Sequence, residues 1–206
     1  MEYMNRNFQK RINPAELLKD AKSVICVALN YKPKDTERKT GTANFALYED
    51  YHPFIKNLLF RLADFIKDSA GVNVKFKACV DSAPVAERSL AQRAGLGFIG
   101  RNHILINPTL GLQMLLGELI TDLPLAPDKP ITQSCSGCDR CITACPGEAL
   151  KPDGGFDANR CISYLTIEHN RRADNGQFGC DECLLTCPYN SIAPICKNKN
   201  FKRLIF

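Results

Sequence analysis

The sequence lacks any long apolar stretch. In this chain of 206 residues, no run approaches the roughly 20 consecutive apolar positions that a membrane-spanning helix needs. The first residues, MEYMNRNFQKR, also lack the apolar core of a secretory signal peptide. We therefore expect no membrane partner and no secretion, although the apolar content of 45% is enough for an ordinary core.

The sequence also lacks a strong excess of either charge. Its formal net charge is +5, and the lysines and arginines are scattered except for a small group near the end of the chain. Such a balance permits an anionic partner but does not require one. Walker and serine nucleophile-elbow motifs are missing as well, which argues against nucleotide hydrolysis and serine-hydrolase chemistry.

A glycine pattern, Gly95, Gly97 and Gly100, matches G-x-G-x-x-G. In a dinucleotide site a strand precedes these glycines and a helix follows. Here a helical pattern precedes them and the strand-like HILIN follows. We therefore expect no dinucleotide, and we expect the glycines to let the backbone pack closely against a turn or a cofactor.

Cysteine, in contrast, is abundant. Eight of the eleven cysteines form two blocks, each ending in Cys-Pro: Cys135, Cys138, Cys141 and Cys145, then Cys161 with Cys180, Cys183 and Cys187. The first block has the C-x2-C-x2-C-x3-C-P spacing of bacterial ferredoxins, where three thiolates hold one four-iron cluster and the fourth crosses to a second. The crossing rule predicts two 4Fe-4S clusters, held by Cys135, Cys138, Cys141 and Cys187, and by Cys161, Cys180, Cys183 and Cys145.

Zinc sites and disulfides are the alternatives for these cysteines. Zinc needs four ligands but neither the third cysteine of the run nor the Cys-Pro endings, and disulfides need an oxidising compartment. Cys26 and Cys79 lie in apolar or alternating runs and are expected to be small buried residues, and Cys196 is the remaining one. Because cluster thiolates need a reducing compartment, we expect a cytoplasmic protein.

The first 130 residues have the pattern of a separate domain that mixes strands and helices. Apolar or alternating runs predict strands at SVICVAL (23–29), NVKFKAC (73–79) and HILIN (103–107). The segment LQMLLGELI (112–120) fits either a helix or a buried strand. The proline-rich TDLPLAPDKP then marks a boundary near residue 130.

Two helices are expected between these strands. The first carries apolar residues at helical spacing and stops at Gly71: Phe54, Leu58, Leu62 and Phe65. The second runs from Pro84 to Ala94, with Asp81 or Ser82 as its cap and Gly95 at its end. We predict an α+β fold with a domain at 1–130, a double-cluster domain at 131–195 and a tail at 196–206.

Five separated motifs follow one another along the chain: VDSAPVAERSLAQRAGLGFIGRNHILIN, GELITDLPLAPD, CSGCDRCITACPGEAL, CISYLTIE and FGCDECLLTCPYN. In this order, and together with the segments upstream of them, they closely resemble the epoxyqueuosine reductase family of cobalamin-dependent iron–sulfur enzymes. The resemblance implies a cobalamin-binding α/β sandwich-like domain followed by a bacterial ferredoxin-like domain. It also implies the reduction of epoxyqueuosine to queuosine in tRNA.

The resemblance assigns the proton donor to the aspartate of the VDS motif, Asp81. Such a donor has to be protonated, so its pKa should be raised by burial against corrin and apolar neighbours. The alternative is that Asp81 only caps the following helix. The family's cofactor-contacting segments also include, besides Asp81, Arg11, Leu105, Leu116, Ser163 and Asp181. Arg11 could instead pair with a surface carboxylate, and the two leucines could be plain core.

The three histidines, His52, His103 and His169, are not expected to bind cobalt, because cobalamin in this family has no histidine ligand from the protein. His169 is the best candidate to line the substrate entrance. Relative to the family, the chain resembles a short form without an N-terminal segment and a C-terminal helical-repeat tail, and the 161–180 loop looks shorter. We expect tRNA binding weakened by these losses, an external low-potential electron donor and a monomer.

Two other functions compete with this interpretation. One is a related corrinoid iron–sulfur reductase that acts on a small molecule. The other is a ferredoxin-like electron carrier or truncated remnant. The Asp81 motif argues against the carrier, which needs no proton donor in a pocket.

Overall fold

The computed structural model describes residues 5, 7–71, 73–169 and 176–204. The chain divides into two compact units, each built from three segments. The first unit contains Met1–Leu29, Asp50–Gly97 and Leu115–Thr132, and the second Asn30–Glu49, Phe98–Met114 and Gln133–Phe206. The sequence predicted one division near residue 130, which differs from this arrangement because residues 30–49 and 98–114 belong to the second unit.

The regular elements are short apart from one helix and two strands. The strands are β1 (Ser23–Asn30), β2 (Phe76–Cys79), β3 (Phe98–Ile99), β4 (Leu105–Ile106) and β5 (Met114–Thr121). The α-helices are α1 (Phe8–Ile12), α2 (Tyr51–Ala70), α3 (Glu87–Arg93), α4 (Arg140–Thr143), α5 (Glu182–Leu185) and α6 (Pro188–Ile192). Single turns of 3-10 helix occupy Pro14–Glu16, Asp35–Glu37, Asn44–Leu47 and Ala158–Arg160, and Tyr164–Glu168 forms a π-helical turn. None of the described helices is long and apolar enough to cross a membrane.

The first unit is organised around a three-stranded sheet in the order β1-β5-β2. Strand β5 pairs antiparallel with β2, so that Cys79 lies opposite Glu118 and Phe76 opposite Thr121. The segment that fitted either helix or strand is therefore the central strand. Strand β5 is buried at most positions, so it lacks the alternation of a half-exposed strand, which explains why its pattern was ambiguous.

Helix α2 packs on one face of this sheet. Its start is capped by Asp50, whose Oδ1 accepts a hydrogen bond from the His52 backbone N at 2.9 Å, and it ends at Gly71 with a left-handed φ of 61°. The buried positions are Ile55, Leu59 and Ala63, one residue along from the apolar series that the sequence suggested. The predicted helix and its end at Gly71 are confirmed.

Three predicted elements are shorter than expected. Strand β2 starts at Phe76, and HILIN contributes only β4, because His103 lies in a turn with a φ of 59°. Helix α3 begins at Glu87 with Ala86 as its N-cap, so neither Asp81 nor Ser82 caps it. Gly95 does follow the end of α3 with a left-handed φ of 75°, as predicted.

The second unit contains the β3-β4 hairpin and the cysteine-bearing turns. Phe98, Ile106, Leu112 and Leu184 form a core against which Cys135, Cys183 and Cys187 pack. The predicted tail is also part of this unit, because Phe201 is buried and stacks on Tyr48 with ring centroids 4.8 Å apart. A buried polar chain joins its segments: Asn44 Nδ2 donates to Gln113 Oε1 at 2.8 Å, and Gln113 Nε2 donates to Asn190 Oδ1 at 2.9 Å.

Candidate active site and cysteine groups

Asp81 lies in the turn after β2, with a left-handed φ of 42°. Its Oδ2 accepts a hydrogen bond from the Tyr51 hydroxyl at 2.9 Å and lies 3.2 Å from Nε2 of His52. The side chain is 58% exposed. Protein atoms therefore do not bury Asp81, contrary to the expected burial against apolar neighbours, and its side chain makes no helix cap.

His52 lies between two carboxylates. Its Nδ1 is 2.7 Å from Asp50 Oδ1 and its Nε2 faces Asp81, so both ring nitrogens are placed to donate. Partial burial lowers the pKa of His52, but the hydrogen bonds with Asp50 and Asp81 outweigh it, and the pKa is raised overall. The ring also stacks on Tyr51, whose phenol has its pKa raised by burial and by the charge of Asp81.

Two glutamates, Glu87 and Glu118, join Asp81 in a set of acidic side chains in the first unit. The backbone N of Asp81 donates to Glu87 Oε1 at 2.5 Å. Burial is the main reason that the pKa of Glu87 is raised to about 7. Glu118 is fully buried, and burial followed by the charges of Glu87 and Asp81 raises its pKa to about 9.

Sequence reasoning found Asp81 but missed Tyr51, Glu87 and Glu118. The available signal for Glu118 was a carboxyl inside the apolar run MLLGELI, and carboxylates are seldom fully buried. Nothing in the sequence around Tyr51 or Glu87 predicted a contact with Asp81, because those contacts arise only when the chain folds.

All eleven cysteines lie in the described ranges, and none is joined in a disulfide. Burial and then the neighbouring Cys135 and Cys187 raise the pKa of the Cys141 thiol. The pKa of Cys187 is likewise raised by burial and by Cys135 and Cys138. The four thiols that the crossing rule grouped together are therefore electrostatic neighbours.

In the second block the thiols also act on one another, and Cys141 of the first block contributes a smaller effect at Cys183. Burial and then Cys180 and Cys161 raise the pKa of the Cys183 thiol. Cys145 Sγ accepts a hydrogen bond from the Ala149 backbone N at 3.2 Å. In the described part of the chain no three His, Cys, Asp or Glu side chains lie close enough to bind a single metal ion. The ligand sets therefore rest on the spacing and on these neighbour relations, and they stay a prediction.

The other predicted cofactor contacts are divided between the units. Arg11 in α1 has a buried Nε without a hydrogen-bond partner among the described residues, and Leu116 in β5 is half-buried. In the second unit, Leu105 is buried core, Ser163 precedes the π-helical turn, and Asp181 precedes α5. Asp181 Oδ2 accepts a hydrogen bond from the Asn44 backbone N at 2.6 Å.

Gly95 and Gly100 of the glycine pattern lie where other atoms approach the backbone closely. A Cβ on Gly95 would lie 2.6 Å from the backbone oxygen of Lys129, and one on Gly100 would lie 2.5 Å from Ile106 Cδ1. The glycines thus permit close packing, with α3 before them and β3 after Gly97, the reverse of a dinucleotide site. His169 is exposed and packs edge-on against Tyr164, next to residues outside the described ranges.

Comparison with known proteins connects both units to one family. The family model "Epoxyqueuosine reductase QueG, DUF1730" matches residues 11–82, and the model "4Fe-4S double cluster binding domain" matches residues 134–190. The epoxyqueuosine reductase of Vibrio cholerae is 38% identical over 98% of this chain and 59% of that protein.

Solved structures agree. The structure of epoxyqueuosine reductase from Streptococcus thermophilus superposes with a TM-score of 0.79 at 35% identity, covering 95% of this chain and 56% of that one. An epoxyqueuosine reductase crystallised with an epoxyqueuosine-modified tRNA-Tyr stem loop gives a TM-score of 0.77 at 35% identity, covering 89% and 52%. The chain spans about half the length of the curated relatives it matches. On these grounds the chain is similar across both units to epoxyqueuosine reductases, and residues 134–190 are similar to 4Fe-4S double cluster binding domains.

Proposed function

We propose that this chain reduces epoxyqueuosine to queuosine in tRNA, using two 4Fe-4S clusters and cobalamin. The observation that carries the proposal is Asp81, whose carboxyl is both solvent-accessible and held by Tyr51 and His52. The relatives named for this reaction match the chain across both units. An electron carrier would have no use for this acid.

The spacing of the cysteines and the thiols that neighbour Cys141, Cys183 and Cys187 support the two clusters. We assign one cluster to Cys135, Cys138, Cys141 and Cys187 and the other to Cys161, Cys180, Cys183 and Cys145. Backbone N–H groups point at cluster sulfurs, with Arg101 N 3.4 Å from Cys135 Sγ and Ala149 N 3.2 Å from Cys145 Sγ. Hydrogen bonds of this kind tune the reduction potential of a cluster. The two clusters would pass single electrons from an external low-potential donor.

The first unit offers polar groups that suit cobalamin. Arg11 Nε is buried and unpartnered among the described residues, as a donor reserved for a ligand would be. We propose Arg11, Asp81 and Leu116 as its contacts from this unit, and Leu105, Ser163 and Asp181 from the second. When bound, cobalamin supplies a low-valent cobalt that can give electrons to the epoxide.

In this proposal the protein itself supplies the proton for the reaction. Opening the epoxide leaves negative charge on its oxygen, and Asp81 is the exposed acid placed to protonate that oxygen. Tyr51 and His52 hold the carboxyl by one oxygen, Oδ2. For the complete reaction we propose tRNA as the partner, a monomeric protein and a cytoplasmic, reducing location.

The test begins with the full chain purified anaerobically after expression with cobalamin. Its absorbance spectrum is scored for corrinoid above the iron–sulfur background, and the loaded protein is then given epoxyqueuosine-containing tRNA and a low-potential reductant. We expect bound corrinoid and queuosine among the digested nucleosides. Clusters without corrinoid, or corrinoid without queuosine, would overturn the proposal.

A further inference from the structure

The excess positive charge of the chain is confined to two segments, residues 30–49 and 196–204. Together they hold eight of the 27 basic residues and three of the 22 acidic ones. Their formal net charge is therefore +5, equal to that of the whole chain, and the remaining residues are balanced in charge. A charge that is mild when averaged over the sequence is concentrated in two short segments.

These two segments lie side by side in the second unit. The backbone N of Cys196 donates to the Lys32 carbonyl oxygen at 2.8 Å, and the backbone N of Leu204 donates to the Leu47 carbonyl oxygen at 2.8 Å. The stacking of Phe201 on the ring of Tyr48 joins the segments between these bonds. Residues that are more than 150 positions apart in the sequence therefore share one surface of the folded unit.

The acidic residues of the two segments are largely engaged by the protein. Glu37 Oε1 lies 3.4 Å from Arg203 Nη1, and Glu37 Oε2 accepts a hydrogen bond from the Lys34 backbone N at 3.0 Å. Glu49 Oε1 accepts one from the Lys202 backbone N at 3.0 Å. Apart from Arg203, the exposed basic residues of these segments form what we call the basic patch: Lys34, Arg38, Lys39, Lys197, Lys199 and Lys202.

An exposed aromatic ring adjoins the basic patch. The backbone N of Phe178 donates to the Gly41 carbonyl oxygen, and the backbone N of Ala43 donates to the Phe178 carbonyl oxygen, both at 2.8 Å. This pairing places Phe178 beside the segment that follows Lys39. The residue is 41% exposed, and its ring centroid lies 6.1 Å from that of Phe45.

Cations beside an exposed ring suit RNA in particular. Lysine and arginine contact phosphates, and this electrostatic contribution dominates the affinity of most nucleic-acid complexes. An exposed aromatic ring can stack on an unpaired base, which is how single-stranded loops of RNA are commonly bound. An acidic protein would be attracted by the cations but would have no need for the ring.

We propose that the basic patch binds the phosphate backbone of the tRNA substrate and that Phe178 stacks on one of its unpaired bases. The inference rests on the proposed function, which supplies the identity of the RNA. The lysines of the 196–204 segment carry the sharpest test, because that segment contains no acidic residue and none of its lysines is ion-paired with a described residue.

The first test measures binding and does not depend on activity. The cluster-loaded full chain is titrated into fluorescently labelled tRNA without epoxyqueuosine at several salt concentrations. Each phosphate contact contributes roughly 0.7–0.9 to the slope of log affinity against log salt concentration. Replacing three lysines of the basic patch with glutamine should therefore make the slope shallower by about 2 and lower the affinity at least about tenfold. The substitutions are Lys197→Gln, Lys199→Gln and Lys202→Gln.

A matched control carries the same change of net charge at another place. Three exposed lysines of the first unit are replaced with glutamine together: Lys19, Lys75 and Lys77. This control should leave the slope and the affinity unchanged, since the proposal depends on where the charge lies. The iron content of both triple variants should equal that of the wild type.

The second test concerns the ring. Phe178→Leu keeps an apolar side chain against Phe45 but removes the aromatic face. It should lower the tRNA affinity at least about fivefold and leave the salt slope unchanged, because stacking on a base is not an ionic contact. Since Phe178 lies two residues before Cys180, the variant is compared with the wild type at equal iron content.

The outcomes separate the claims. An unchanged slope in the basic-patch variant, or an equal loss in the control, would overturn the proposal. Slower reduction of the clusters by an acidic ferredoxin, with tRNA affinity intact, would assign the patch to an electron donor and overturn it too. If tRNA binds through the patch but the cofactor-loaded protein forms no queuosine, the proposed function fails and the binding surface stands.

Discussion

Asp81 owes its position to an uncommon backbone conformation. A φ of 42° is rare for a residue other than glycine and costs on the order of 1 kcal/mol or more. In this turn the side chain meets Tyr51 and His52, and the backbone N meets Glu87. The VDS motif identified Asp81 from the sequence, but its partners follow from tertiary contacts that a single sequence does not record.

Asp81→Asn should abolish turnover while leaving the cofactors in place. The amide is the size of the carboxyl but cannot deliver a proton, so activity should fall by a factor of about 10² to 10⁴. The measurement is queuosine formation alongside iron and corrinoid content. Asp64→Asn, on the exposed face of α2, is the control. Loss of cofactor from the Asp81 variant would instead show a structural role.

His52 should respond to the same substitution through its own titration. Because Asp81 helps to raise the pKa of His52, Asp81→Asn should lower it. A raised histidine pKa stabilises the fold fully below the unfolded value of about 6.5, and this stabilisation is lost as pH rises through the folded value. NMR titration of labelled histidine in both proteins measures the change. An unaltered His52 titration would contradict the interaction.

Helix α2 and strand β5 show that a pattern of apolar residues can predict a helix but not the face that it buries. The helix was evident from its spacing and from Gly71, but its core face is set by the sheet beneath it. Gly117 lies where α2 crosses β5, and a Cβ there would be 2.7 Å from Ile55 Cγ2. Since close approach at Gly117 decides which side of α2 is buried, the helix sequence alone could not give it.

Gly117→Val should therefore destabilise the first unit. The added branched side chain overlaps Ile55 and Leu59, and overpacking of this kind costs about 1–3 kcal/mol. The thermal unfolding midpoint of the cluster-loaded chain should fall. Gly154→Val is the comparison, because it lies outside the cysteine blocks, nothing lies within 4 Å of a Cβ there, and only its positive φ opposes the change. Equal midpoints for the two variants would refute the close contact.

The whole chain is organised less simply than its sequence suggests. The last segment of the first unit ends at Thr132, and the proline-rich segment predicted a boundary near residue 130. The segments 30–49 and 98–114 carry no cysteine blocks, yet they supply Asn44, Gln113 and Tyr48 to the second unit. Contacts between segments that are far apart in the sequence produce no periodic pattern of apolar residues. The sequence analysis therefore assigned both segments to the first domain.

The assignment of cysteine ligands to the two clusters can be tested by replacing the last cysteine of each block with serine. If Cys187 completes the cluster of the first block, Cys187→Ser should damage the cluster on Cys135, Cys138 and Cys141 and spare the other. Cys145→Ser is the matched variant and should do the reverse. Iron content and electron paramagnetic resonance of the reduced proteins measure which cluster remains. If each substitution instead destroys only the cluster of its own block, each cluster is held by the four cysteines of one block, and the crossed assignment is wrong. That result would contradict the proximity of Cys187 to Cys135 and Cys138.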